Sequence, residues 1–239
     1  MIKRVLLVLV LCVAVAGVGS ATAEAGRECD GLIVCIPVAG PWVQVFGRAE
    51  ATNYQLACPG RGQVIGGLDA DRAGPLGISF LGTLGGPVGP GVTTGRAAVF
   101  VAQTTRALSG FRPRLGCIPG GGGGGRGRTV YKPKPERRLT AAAPVPEATV
   151  WRVKNVRLKN APSERVSHGC LASERLLSFS SAVAFRTAKP PSLATLGSVR
   201  ATPRRAGGRV VVSVRSAIAR PVATRVEVQV LAVCVRGPR

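Results

Sequence analysis

The chain has 239 residues, of which 46% are apolar but only 4% aromatic, and it carries 32 glycines, 18 prolines and a formal charge of +22. Its length suits two domains of ordinary size. Gly and Pro scattered through both halves disfavour long helices, and abundant small β-branched side chains favour strands. The expectation is an all-β protein of two tandem β-sandwich-like modules joined by a Gly/Pro/Arg-rich flexible linker.

Residues 1–23 read as a signal peptide. Lys3 and Arg4 precede an apolar run over 5–18, and Ala21-Thr22-Ala23 supplies a small-residue cleavage site. The run is shorter than the roughly 18 residues of a spanning helix, so no transmembrane span is expected after signal removal. Cys12 sits inside the run behind Leu11, which does not fit a lipid-modified cysteine, and it leaves with the signal. The protein is expected to be secreted or associated with the cell envelope.

Six cysteines then remain, an even number in an oxidising compartment, and disulfides are the default reading. Residues 24–41 form a Cys-framed segment, Cys29 to Cys35, too short for its own core and expected to fold over the first β module, 42–118. In that module 42–45 alternates, 54–67 reads as strand, turn, strand, and 78–81 and 97–104 are further strand candidates. A Gly/Pro tract at 85–91 separates them, and 111–117 closes the module at Cys117.

The linker spans 119–148. It opens with glycines at 120–125 and continues with Arg126, Arg128, Lys132, Lys134, Arg137 and Arg138 among prolines, a composition that stays extended and solvated. No Gly-Lys-Ser/Thr follows the glycines, so this is a spacer rather than a phosphate loop.

The second β module, 149–239, is patterned more clearly. Trp151 and Val153 alternate with Arg152 and Lys154; the phase then shifts, so that Val156 and Leu158 alternate with Arg157 and Lys159, and a bulge at Asn155 would restore one face. Residues 209–215 and 224–235 are strands, the latter placing Val226, Val228, Val230, Ala232 and Cys234 on one face. Residues 203–208 read as a hairpin-like turn displaying Arg204 and Arg205. One plan is thus written twice, as Trp42, Cys58, Cys117 and as Trp151, Cys170, Cys234. With the linker between them, it selects the pairings Cys58–Cys117 and Cys170–Cys234 and leaves Cys29–Cys35.

Cys58-Pro59-Gly60, Gly66-Gly67 and Leu115-Gly116-Cys117 resemble an exported bacterial disulfide-closed β-module of the Cys-Pro-x-Gly, Gly-Gly, Cys type. The second half keeps Cys170 and the closing run to Cys234. Leu171-Ala172-Ser173 replaces the Pro and Gly there, and Phe179-Ser180 stands where the glycine pair would be. The resemblance implies a disulfide-closed β-sandwich and carries no activity.

Catalysis has little to draw on. His168 stands two residues from Cys170, but an oxidised cysteine offers no thiolate to a metal. Asp69 and Asp71 are the closest acid pair and read as a solvated loop with no third carboxylate nearby in sequence. The expectation is a non-enzyme without cofactor or metal. Charge gives the one chemical direction: 27–117 holds eight arginines against five acids, net +3, whereas 118–239 holds 23 Lys and Arg against five acids, net +18. The linker cations, with Arg152, Lys154, Arg157, Lys159, Arg204, Arg205 and Arg209, are expected to hold the protein on an anionic envelope polymer or acidic glycan. Specific nucleic-acid recognition is not expected, because aromatics are scarce. The alternatives are a purely structural envelope protein or, third, a secreted hydrolase.

Overall fold

The computed structural model describes residues 27–32, 34–47, 50–81, 87–89, 92–93, 95–120, 140–142, 149–159, 161–217 and 225–236. The signal peptide and all six linker cations lie outside the described residues. No described helix is long and apolar enough to cross a membrane. The chain is nearly all β. A 3-10 turn, Arg27–Cys29, precedes β1 (Ile36–Ala39), β2 (Trp42–Phe46), β3 (Thr52–Ala57), β4 (Gln63–Ala73), β5 (Gly77–Leu81), β6 (Pro87–Gly89), β7 (Val92–Thr93), β8 (Ala97–Gln103) and β9 (Leu108–Pro119). After β10 (Thr140–Ala142) come β11 (Thr149–Arg157), β12 (Ser163–Gly169), β13 (Glu174–Arg186), the short helix α1 (Leu193–Gly197), β14 (Val199–Ala206), β15 (Arg209–Ser216) and β16 (Arg225–Arg236).

The pairing of the first half recurs in the second. β9 lies between β4 and β2 as β16 lies between β13 and β11, and β8 lies between β3 and β5 as β15 lies between β12 and β14. β4 on β9 and β13 on β16 each carry a register shift, between Ile65 and Gly67 and between Leu176 and Ser178. Disulfides join Cys58 to Cys117, Cys170 to Cys234 and Cys29 to Cys35. The glycine pair Gly66-Gly67 therefore answers to Leu177-Ser178, not to Phe179-Ser180. The tryptophans do not correspond. Val43 pairs with Phe111 and Val156 with Val228, both six residues before the closing cysteine, so Trp42 answers to Asn155.

The halves interlock. Trp42 and Val43 pair with Phe185 and Ala184, which runs one seven-stranded sheet through both halves in the order β1-β9-β2-β13-β16-β11, with β4 on β9. This sheet curls round the smaller sheet β10-β5-β8-β3. On one face of the smaller sheet, Tyr54, Ala98, Phe100 and Ala102 pack with Val43, Phe111 and Leu115. On the other, Leu81, Val99 and Val101 pack with Trp151, Val153, Leu231 and Val233. Trp42 and Leu108 enter the second core, while Ala182 and Ala184 enter the first. Polar side chains complete the seam. Tyr54 Oη donates to Glu227 Oε1 at 2.8 Å, and the Gln229 side chain both accepts from Gln55 N–H and donates to Gln55 C=O. Gln44 Nε2 donates to the carbonyls of Leu196 and Val199.

Three local expectations are corrected. β11 pairs with β16 in unbroken register, with no bulge at Asn155. The phase shift instead reflects use of both faces: Trp151 and Val153 meet the first half, whereas Val156 and Leu158 meet the second core. Residues 203–206 continue β14, and only Gly207-Gly208 make the turn, with Gly207 at φ 60°. Pro203 is tolerated because β14 is an edge strand. Finally, 140–142 of the linker region pair in parallel with Ser79–Leu81.

A cationic sheet face as the candidate site

The sheet β12-β15-β14 has one face on the second core and one open. Val210, Val212 and Val214 are buried, and Val166 on β12 and Val199 on β14 join them. Alternation therefore turns Arg209, Val211, Ser213 and Arg215 outward. Their registered neighbours extend that face: Gly169 and Ala206 beside Arg209, Ser167 and Arg204 beside Val211, Arg165 and Thr202 beside Ser213, and Ser163 and Arg200 beside Arg215. Five guanidinium groups and four hydroxyls thus share a face with no carboxylate. Arg165, Arg200, Arg204, Arg209 and Arg215 are all exposed.

Arg200 and Arg215 stand directly opposite one another. Like charges so placed are destabilising, and no acid on this face offsets them. Every described acid of the second half is engaged elsewhere. Glu174 pairs with Arg152 at 2.5 Å and also accepts from Leu171 N–H. Glu227 takes Arg186 and Tyr54. Glu164 accepts from the backbone N–H of Lys159. The Arg152 hydrogen bond, followed by that from Leu171, pulls the Glu174 carboxyl down to about 2.

Of the residues expected from sequence, Arg204 and Arg209 lie on this face, and Arg209 Nε donates to Ser167 Oγ at 3.1 Å. Lys154 reaches its rim, where Nζ donates to the Ser167 carbonyl at 3.2 Å. The others are dispersed. Arg152 is held by Glu174; Arg205 turns to the other side and donates to the Leu176 carbonyl. Arg157 has the opposite parity to Arg152 and Lys154, and Lys159 follows the end of the strand, so the four do not share one solvent side. Sequence reading missed Arg165, Arg200 and Arg215. Arg215 has the parity of Arg209 in a recognised strand, but Arg165 and Arg200 lie in strands without a clear apolar alternation. Beside the face, Arg200 lies 5.3 Å from the Phe46 ring centroid, in a groove of about 710 Å³ lined also by Gly47, Thr105 and Thr202.

His168 lies beneath this rim. Burial lowers its pKa, and Lys154, Arg152 and Arg209 act in the same direction, while a hydrogen bond with the Arg152 backbone opposes them. Nε2 is buried without a partner. Cys170, Glu174 and Cys234 place ligand-type atoms within 4.8 Å, but both sulfurs belong to the disulfide and offer no thiolate.

A second charged cluster lies on the first half. Asp69 and Asp71 are in strand β4, not in a loop, opposite Arg114 and Arg112 of β9. A third carboxylate does approach them. Glu28, fully buried, lies 3.5 Å from Arg114, which also pairs with Asp71 at 2.9 Å. The Arg27 backbone N–H donates to Asp69. Gly67 and Gly116, paired across β4 and β9, admit the Glu28 backbone, whose carbonyl oxygen lies about 2 Å from where either Cβ would stand. Burial raises the Glu28 pKa despite Arg114. These groups hold the N-terminal segment against the sheet: Asp69, Asp71 and Glu28 Oε1 take arginines or backbone N–H groups, while Glu28 Oε2 is buried without a partner.

No protein-family model, curated protein or solved structure matches the chain.

Proposed function

We propose that this is an exported, non-catalytic protein retained on an anionic extracytoplasmic polymer through its second half, with the cations of 119–148 adding avidity. Its architecture is read as two tandem β-sandwich modules of the exported disulfide-closed type, joined by that basic segment and interlocked through β2 and β13. The carrying observation is that the described acids of the second half are all internally engaged, whereas five arginines stand on one open face. Such a surface attracts polyanions by long-range steering and counterion release.

The test is retention of the mature, disulfide-intact chain on isolated envelope material and on soluble acidic polymer across a salt series. Engagement of about five charges predicts roughly 10²-fold weaker binding between 50 and 200 mM salt. Absence of binding at 50 mM salt refutes the proposal. Retention on envelope material that ignores salt would instead identify a structural component held by apolar contacts.

A further inference from the structure

The open face has a counterpart in the first half, and what covers that counterpart narrows the proposed ligand; the inference rests on the function proposed above. Ala57 pairs with Ala97, and Gly169 with Arg209, in each case one residue before the cysteine that starts the long disulfide. Following the registers from there, Val99 corresponds to Val211, Val101 to Ser213 and Leu81 to Arg204. Asn53, Gly77 and Gln103 likewise correspond to Arg165, Arg200 and Arg215. In the first half this face is a docking face. Leu81, Val99 and Val101 seat on Trp151, Val153, Leu231 and Val233, and the Gln229 amide grips the Gln55 backbone. In the second half the same face keeps two apolar residues, Val211 and Ala206, among guanidinium groups and hydroxyls, and its five arginines are exposed.

We propose that the outer face of β12-β15-β14 docks an anionic polysaccharide, a chain of carboxylated or phosphorylated sugars lying along β15. Three strands about 4.8 Å apart and seven or eight residues long, at about 3.4 Å per residue, offer roughly 350–400 Å². A stable protein partner needs about 800 Å² per side, so the face suits a linear chain. Arg209 and Arg215 stand at its two ends about 20 Å apart, and Arg204 and Arg165 flank the path between them. Guanidinium groups take carboxylate or phosphate in a bidentate fork, while Ser167, Thr202 and Ser213 offer hydroxyls to the sugars. Nucleic acid fits less well, because no aromatic ring lies on the face to stack bases.

The test uses the full mature chain with polygalacturonate and phosphomannan as carboxylate and phosphate probes, neutral dextran as control and duplex DNA as competitor. A face variant, R165S/R204S/R215S, is compared with a linker variant of equal charge loss, R126S/R128S/R137S, and unchanged thermal midpoints verify the fold. The single reversal Arg204→Glu serves if the triple variant does not fold. The expected result is binding of at least one charged polysaccharide that weakens about tenfold or more in the face variant and less than about threefold in the linker variant, with a salt slope shallower by about two in the face variant only. Equal weakening in both variants overturns the face assignment but leaves the proposed function standing. Duplex DNA bound through the face as tightly as either polysaccharide overturns the ligand class. A wild-type chain that binds no polyanion overturns the underlying function.

Discussion

Replacing Trp42 by Ala tests whether the halves fold as one unit. Trp42 belongs to the first half by sequence, yet it is 3% exposed and packs with Val183, Phe185, Leu196 and Val228 of the second core. Its backbone also pairs with Phe185. Truncating a buried Trp to Ala costs about 3–5 kcal/mol, and its indole N–H has no partner, so no hydrogen bond adds to the loss. For a protein of this size that corresponds to roughly 6–20 °C in Tm. The variant leaves Trp151 as the sole tryptophan, located in β11 of the second half. Trp151 packs against Leu81, Val99 and Val101 of the first half, so its fluorescence during urea unfolding reports the contact between the halves. The expected outcome is a single transition in which Trp151 fluorescence and far-UV circular dichroism coincide and shift together. A Trp151 transition within about 1 kcal/mol of wild type, with only the remaining signal destabilised, would refute the interlocked core.

The Glu28 carboxyl titrates above its ordinary 4.5 because burial disfavours its charge, so its contribution is fully present below 4.5 and is lost as pH rises through the folded value. The difference in unfolding free energy between wild type and Glu28→Gln, followed by urea titration from pH 4 to 8, should grow in favour of Gln as pH rises; a difference independent of pH, or growing the other way, contradicts the assignment. The double replacement Cys170→Ala with Cys234→Ala opens a loop with sequence separation 64, and chain entropy predicts a loss of about 4 kcal/mol; equilibrium unfolding that shows less than about 1 kcal/mol would mean that the bridge does not constrain the unfolded chain.

What the sequence makes legible follows from the range of each signal. Cysteine pairing is readable because the plan repeats, and the closing strand is readable because one apolar set alternates without interruption from Val226 to Cys234. The same strand hides its other half. Glu227, Gln229, Leu231 and Val233 are also buried, against the first half, and a period-2 pattern cannot say that both faces are covered. In β11 this ambiguity resembles a bulge. Trp42 resembles the start of a first-half core because local alternation is all the sequence shows, whereas its place is set by the edge pairing with β13. The ion cluster of Glu28, Asp69, Asp71 and Arg114 was illegible for a similar reason. Its members are brought together by a 3-10 turn settling over Gly67 and Gly116, and no spacing in the sequence announces that approach.

Interlocking leaves the corresponding faces of the two halves differently covered. In the first half, the outer face of β3-β8-β5 is covered by the second half: Leu81, Val99 and Val101 meet Leu231 and Val233, and the Gln55 backbone is held by the Gln229 amide. The first-half sheet β4-β9 is covered in turn by the N-terminal segment, whose Glu28 balances Arg114. The equivalent of the first of these faces in the second half has no such cover within the described residues, and it carries Arg204 and Arg215 where the first half has Leu81 and Gln103. Solubility alone would be served by charges of either sign. A face of one sign, with Arg200 set against Arg215 and acids withdrawn to internal partners, is the arrangement that the proposed anionic ligand would complement.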